Sequence, residues 1–343
     1  MIKIAVFDAK EYDERYFERF KSDAVEIKYF TVKLDETTCP LAEGFDVVVP
    51  FVNDDLNKEV IKKLYGYGVK LISLRCAGFN NVDVRECYGK IHVLRVPSYS
   101  PEAVAEHAVA MLMTSVRRIH KAYNRTRDFN FSLVGLTGFN IFKKTVGVVG
   151  TGKIGKAFIK IMQGFGAEIL AYDKFPDKTL DVKYVDLNVL FSQADIISLH
   201  CPLSEETFHI IDDRAISQMK KGVMILNTSR GGLIDAEALL DGIKERKIGG
   251  ACLDVYEEES DLFFEDKSGH ILGDDVLARL LSMPNVIITS HQAFLTDEAL
   301  YEIAKTTMQN VFDYFNGEPL KNEVCYRCEK MEGCKKQKSS RCF

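Results

Sequence analysis

Between Thr145 and Asp173 the chain reads TVGVVGTGKIGKAFIKIMQGFGAEILAYD: an apolar strand, a glycine-rich turn, a helix, and a second strand that closes on an acid. Each glycine has a separate reason to be there. Gly150 allows the tight turn, Gly152 lets the backbone approach a pyrophosphate, and Gly155 permits close packing of helix on strand, with the phosphates held at the helix N-terminus. Asp173 stands 18 positions beyond Gly155. There its carboxylate can accept hydrogen bonds from an adenosine ribose and repel a 2′-phosphate, which favours NAD over NADP.

Further strands follow at DIISLH, VMILNTS, GGACLDV and NVIITSH. In parallel sheets ligands bind beyond the carboxyl ends of the strands, and His200, Ser229, Arg230, Asp254 and His291 all fall there. Hydride transfer between a nicotinamide and a 2-oxo acid needs a cation to grip the carboxylate and polarise the carbonyl, and an acid to protonate the developing alkoxide. Arg230 suits the first task, since guanidinium is a planar fork that stays charged. His200 and His291 compete for the second, because both end a strand and periodicity cannot separate them. A carboxylate partner would decide between them by raising the imidazole pKa and fixing its tautomer. The run Glu257, Glu258, Glu259 supplies candidates.

The elements that carry these residues alternate short β-branched strands with amphipathic helices, which predicts an α/β protein of parallel sheets covered on both faces. Six strand candidates lie between Thr145 and His291, the number a complete dinucleotide-binding sheet requires. Five more, IKIAVF, VEIKYF, DVVVPF, KLISL and IHVLRV, occupy the first hundred residues with helical segments such as NKEVIKKLYGYG between them. After Pro101, EAVAEHAVAMLMTSVRRIHKAYNRTRD has no internal glycine or proline and reads as one long helix, with His107 and His120 as structural or solvated positions. At 343 residues the chain suits two domains. With 46% hydrophobic and 28% charged residues and a formal charge of −5, its composition is that of an ordinary soluble protein and implies no nucleic-acid partner. No segment approaches the roughly 20 apolar residues of a membrane span, so no membrane partner and a cytoplasmic location are expected. Five of the nine cysteines (Cys39, Cys76, Cys87, Cys201, Cys252) are scattered singly, which suits reduced thiols.

The spacing of Arg230 in SRGG, Asp254 24 residues on, Glu259 five further and His291 near the last strand resembles the D-isomer-specific 2-hydroxyacid dehydrogenase family, and the likeness extends to about Val324. The resemblance implies that His291 is the acid/base, Glu259 its carboxylate partner, Arg230 the substrate anchor, and Asp254 a residue that orients the site. It would place His200, Cys201 and Pro202 beside the cofactor, together with Gly150, Gly152, Lys153, Ile154, Gly155, Asp173, Thr228, Ser229 and Asp254. No metal is expected at the site. The stretch DVYEEESDLFFEDKSGHILGDDVLARLLSMPNVIITSHQAFLT is similar to the fermentative bacterial D-lactate dehydrogenase branch, so pyruvate with NADH is the expected substrate pair. The same likeness sets Tyr99 and Phe294 around the small substrate side chain and the amides of Ala77 and Gly78 against its carboxylate. Cys76 stands where some members have asparagine.

The family's substrate domain is split around the cofactor domain, which implies residues 1–100 and 297–324 for the former and 101–296 for the latter, with closure about the two crossings. Pairing of the family through its cofactor domains, largely by the helix after Pro101, implies a homodimer or homotetramer. The tail CYRCEKMEGCKKQKSSRCF, residues 325–343, departs from the family pattern; Cys325, Cys328, Cys334 and Cys342 match no finger spacing, and a mobile basic extension is expected over a metal module. Two rival readings stand beside this one. The nearer is a relative acting on a larger 2-oxo acid, as a 2-hydroxyisocaproate or phenyllactate dehydrogenase does. The other is an NAD-sensing binding protein on the same fold, which would not need Arg230, Glu259 and His291 together.

Overall fold

Runs of valine, isoleucine and leucine flanked by turn residues form strands in both halves of the chain, because branched side chains fill both faces of a covered parallel sheet. The computed structural model describes residues 1–258, 262–327 and 340–343. The chain divides into two units, Met1–Ser100 with Thr296–Phe343, and Pro101–Leu295.

The first unit holds β1 (Ile2–Val6), β2 (Val25–Tyr29), β3 (Val47–Val49), β4 (Leu71–Ser73) and β5 (His92–Leu94). All pair in parallel, in the order β2-β1-β3-β4-β5. That is the flavodoxin-like order. Every residue of β3, β4 and β5 is buried. The helix Asp297–Phe315 returns to this sheet late in the chain. Thr296 caps it, Oγ1 accepting from the Ala299 amide at 3.2 Å, and the Thr307 carbonyl accepts from Ser73 Oγ at 3.2 Å. The cap makes Thr296 part of that helix's unit.

The second unit holds β6 (Thr145–Val149), β7 (Glu168–Tyr172), β8 (Lys183–Tyr184), β9 (Ile196–Leu199), β10 (Val223–Asn227), β11 (Ile248–Leu253) and β12 (Val286–Ile288). They too are all parallel, ordered β12-β11-β10-β9-β6-β7-β8, a doubly wound sheet whose order reverses between β6 and β9. The sheet has one strand more than the sequence suggests, because β8 is only two residues long and leaves no periodic signal. Helix Lys153–Gly164 buries Gly155, Phe158, Ile159 and Met162, one face at helical spacing.

The stretch after Pro101 is two helices and not one. Pro101–Val116 ends at Arg118, which takes the left-handed conformation (φ 54°), and Ile119–Arg127 follows. The cause is distant in sequence. A Cβ at Gly138 would lie 1.9 Å from the Val116 carbonyl oxygen, so the loop backbone presses directly on the end of the first helix. The described ends of the tail are also packed, contrary to a mobile extension. Cys325 and Cys342 are buried, the Cys342 amide donates to Glu323 Oε2 at 2.6 Å, and Phe343 stacks on His92 with ring centres 4.1 Å apart. Glu323 Oε1 lies 2.5 Å from His92 Nδ1, so one carboxylate ties the chain end to β5. Cys328 and Cys334 lie outside the described residues. Among the described residues, no helix is long and apolar enough to cross a membrane.

Candidate active site

The glycine turn sits where the sheet order reverses. His200 N donates to the Val149 carbonyl at 2.7 Å, joining the carboxyl ends of β9 and β6. Gly150 has φ 95°, and a Cβ there would meet Cys201 N and the His200 carbonyl carbon, each at 2.6 Å. Glycine is therefore required twice over, by conformation and by the strand crossing above it. A Cβ on Gly155 would lie 2.1 Å from the Gly150 carbonyl oxygen, which is the close packing of helix on turn. Gly152 differs: a Cβ there meets nothing within 4 Å. Its missing side chain leaves room in front of the helix, whose first amides at Lys153, Ile154 and Gly155 have no intrahelical acceptor. An open cradle before a positive helix end fits a pyrophosphate.

Asp173 ends β7 and is already engaged by the protein. Its Oδ2 accepts from Thr151 N at 2.6 Å and Thr151 Oγ1 at 3.0 Å, and its Oδ1 accepts from Phe175 N at 2.8 Å. The carboxylate thus braces the glycine turn as well as presenting its remaining lone pairs. Around the same crevice Ser229 Oγ donates to the Cys201 carbonyl at 2.7 Å, tying the loop after β10 to the loop after β9, while Pro202 is exposed. Thr228 is buried, and its Oγ1 has no hydrogen-bond partner among the described residues.

The two histidines differ in what surrounds them. His200 Nε2 lies 2.9 Å from Ser198 Oγ, the ring packs against Phe158, and burial pushes its pKa down to about 3. That shift favours the neutral ring at physiological pH and disfavours it as a proton donor. His291, like His200, is partly buried, and its ring lies against Phe264, with centres 5.8 Å apart. It takes the left-handed conformation (φ 54°), and its amide donates to the Asp254 carbonyl at 2.7 Å.

Asp254, directly after β11, is the node of this region. It is fully buried. Oδ1 accepts from Thr289 Oγ1 at 2.5 Å and Gln292 N at 2.9 Å, and Oδ2 accepts from Ala293 N at 2.9 Å. The loop around His291 is wrapped on one carboxylate. The Asp254 amide donates to the Asn227 carbonyl at 2.9 Å, and the Asn227 side chain accepts from Ser229 N at 3.0 Å and donates to the Arg230 carbonyl at 2.8 Å. Asp254 therefore fixes both the histidine loop and the arginine loop. Burial pushes its pKa up, but the hydrogen bonds from His107, Thr289 and Ala293 outweigh it and hold the carboxyl below its ordinary value.

Arg230 donates from Nη1 to the Ser229 carbonyl at 2.6 Å. The glycine directly after it is needed, since a Cβ on Gly231 would lie 2.0 Å from the Tyr256 carbonyl oxygen and 2.4 Å from Glu257 N. The arginine loop is thus pressed onto the segment that begins the glutamate run. Of that run, Glu257 accepts from His209 at 2.6 Å, Glu258 is exposed, and Glu259 lies outside the described residues. Phe294 follows the histidine loop and is buried.

In the first unit, Ala77 and Gly78 lie on the loop after β4 and Tyr99 on the segment after β5, both at carboxyl ends. The amides of Ala77 and Gly78 make no hydrogen bond among the described residues, while Arg95 Nη1 holds the Ala77 carbonyl at 2.8 Å and Cys76 Sγ turns to the Gly78 carbonyl at 3.3 Å. Just before this loop, Arg75 is buried. It donates to the carbonyls of Phe7 (3.1 Å) and Asp8 (2.7 Å), pairs with Asp13 at 3.2 Å, and lies over the Phe51 ring. Reading the sequence alone missed Arg75, Arg95 and Thr289, and set His107 aside as structural or solvated. His107 is instead a partner of the node, its Nε2 lying 3.1 Å from Thr289 Oγ1 and 3.3 Å from Asp254 Oδ1. A histidine on a largely apolar helix was the available signal.

A family model, the NAD binding domain of D-isomer specific 2-hydroxyacid dehydrogenases, matches residues 109–293. The chain is 52% identical over 328 residues to the D-lactate dehydrogenase of Escherichia coli (strain K12), covering 94% of this chain and 100% of that one. It is 49% identical, over the same shares, to the apo structure of D-lactate dehydrogenase from Escherichia coli, with a TM-score of 0.86. The structure titled as the pyruvate reductase of Chlamydomonas reinhardtii is 43% identical, covers 94% of this chain and 98% of its own, and has a TM-score of 0.88.

Proposed function

The chain belongs to the D-isomer specific 2-hydroxyacid dehydrogenase family, and from that premise we propose that it is an NAD-dependent D-lactate dehydrogenase, reversibly reducing pyruvate to D-lactate. The observation that carries the mechanism is the buried Asp254, whose carboxylate bonds the loop bearing His291 and whose backbone amide bonds Asn227, the residue that holds the Arg230 loop.

NAD fits the residues present: Gly150, Gly152, Lys153, Ile154 and Gly155 cradle its phosphates, Asp173 takes the ribose hydroxyls, and His200, Cys201, Pro202, Thr228, Ser229 and Asp254 border it. When bound, NADH supplies the hydride. Arg230 grips the substrate carboxylate and polarises the carbonyl with a charge that does not titrate away. The free amides of Ala77 and Gly78 donate to the same carboxylate, and Tyr99 and Phe294 enclose the methyl group. Protonated His291, with Glu259 as its carboxylate partner, gives a proton to the carbonyl oxygen, and the neutral imidazole takes it back in the reverse direction. His200, neutral and partly buried, orders the cofactor side.

We place the contact with a second copy on the run after the broken helix. Phe129, Phe131, Leu133, Val134 and Phe142 are 61–85% exposed there, an apolar density that a lone surface rarely carries. The helix after Pro101, by contrast, spends Ala105, Ala108, Val109, Met111 and Leu112 on its own domain's core.

The test is the loss of NADH absorbance with purified protein and pyruvate, run beside 2-oxoisocaproate, phenylpyruvate and hydroxypyruvate, and beside NADPH with pyruvate. The expected result is fastest turnover of pyruvate with NADH and a D product in a chiral assay. A preference for a bulky oxo acid would keep the mechanism and change the substrate; turnover of none would sink the reading.

A further inference from the structure

We propose that His107 is a positioning residue of the reaction, which from the helix Pro101–Val116 holds the Asp254–Thr289 pair and through it the backbone turn that presents His291. This rests on the reading of His291 as the acid/base.

Proton bookkeeping fixes how His107 is bonded. Thr289 Oγ1 spends its hydrogen on Asp254 Oδ1 at 2.5 Å, so toward His107 it can only accept. His107 Nε2 therefore carries a hydrogen, shared between Thr289 Oγ1 at 3.1 Å and Asp254 Oδ1 at 3.3 Å. The imidazole is held from its own side as well. Val104 and Met111, one turn to either side on the helix, are buried and leave the ring little freedom to withdraw.

What this donor does follows from what else the carboxylate serves. Asp254 is fully buried, so each hydrogen bond to it replaces water that cannot reach it. Its oxygens order Gln292 N and Ala293 N, while its carbonyl orders His291 N in a left-handed turn. A carboxylate short of one donor rotates toward the remaining ones, and the two amides on opposite oxygens cannot both follow it. The displaced part is the histidine turn, on which proton transfer depends. Substrate and cofactor contacts are left in place. The signature is thus a fall in kcat with little change in KM.

The experiment compares His107→Leu, which removes the donor, with His107→Gln, whose amide nitrogen can stand where Nε2 stands. Expected for His107→Leu is a kcat for pyruvate reduction down about tenfold, with KM and NADH affinity within about twofold, and recovery to within about threefold in His107→Gln. Hydrogen exchange at the amides of Gln292 and Ala293 is expected to quicken in the leucine variant and return to parental protection in the glutamine variant. An unchanged kcat in His107→Leu, or equal loss in both variants, would overturn the proposal in favour of plain packing. If the parent protein turns over no 2-oxo acid, the functional reading fails by itself. The exchange measurement still decides this proposal, and parental protection in His107→Leu overturns it.

Discussion

Each unit places a buried charge just past the carboxyl end of a strand, and the two are satisfied in opposite ways. Arg75, two residues beyond β4, is a cation held by two backbone carbonyls, the Asp13 carboxylate and an aromatic face. Asp254, directly beyond β11, is an anion held by backbone amides, a hydroxyl and His107. Arg75 ties β1 and the helix after it to the loop that carries Ala77 and Gly78, and every partner it has is structural. Asp254 ties together loops whose side chains do the proposed chemistry. The same device, a charge sunk at a sheet's ligand-binding edge, stabilises the fold in one unit and, in the mechanism we propose, sets the aim of reacting groups in the other.

The comparison breaks first at Arg75. Arg75→Met leaves Asp13 buried without its counter-ion, and urea unfolding of the first unit is expected to lose about 3–5 kcal/mol. A loss under 1 kcal/mol would mean that Asp13 protonates or is rehydrated, and that the pair is not structural. At the other node, Asp254→Asn retains the shape but turns an amide donor toward a backbone N–H, with an expected stability loss of about 2–3 kcal/mol. The informative number there is kcat, expected to fall about a hundredfold with NADH affinity nearly kept. If affinity falls and kcat stands, Asp254 serves the cofactor and not the turn.

The smallest effect concerns pH. Asp54, near Arg75, accepts from Leu34 N and Phe51 N at 2.6 Å each, yet burial pushes its pKa up to about 6. A raised carboxyl binds its proton more tightly in the folded state, so its contribution is greatest below the unfolded pKa and is lost as pH rises from about 4 to about 6. Asp254 runs the other way: its lowered carboxyl contributes above the ordinary carboxylate range, and that contribution is lost as pH falls below it. Stability measured against pH should therefore decline through the Asp54 window by on the order of 2 kcal/mol, and Asp54→Asn should flatten that slope even if it lowers the whole curve. A slope that survives the substitution assigns it to another group.

What was legible beforehand is what short stretches of sequence encode. The glycine turn, the strand ends bearing Arg230, Asp254 and His291, and the parallel α/β plan all follow from local alternation and spacing. Misreadings arose wherever a distant residue decides. Arg75 meets Asp13 from 62 positions away, and His107 meets Thr289 from 182, so neither partnership leaves a local pattern. Likewise the helix break at Arg118 depends on the Gly138 backbone, and the tail is held by His92 and Glu323, residues whose types alone do not announce a seat for a chain end.

The docking of Phe343 on His92 also bears on the order in which the protein can be made. The second unit is one continuous stretch, ready to fold as soon as it leaves the ribosome, whereas the first is built from segments on either side of it. Its five strands emerge early, and His92 with them, yet the helix Asp297–Phe315 and the Phe343 that stacks on His92 arrive only after the whole second unit has been translated, a wait of roughly 10 to 50 seconds at cellular rates. During that interval a sheet lacking one of its covering helices is exposed to the cell, so any delay late in translation threatens the half of the molecule that was made first.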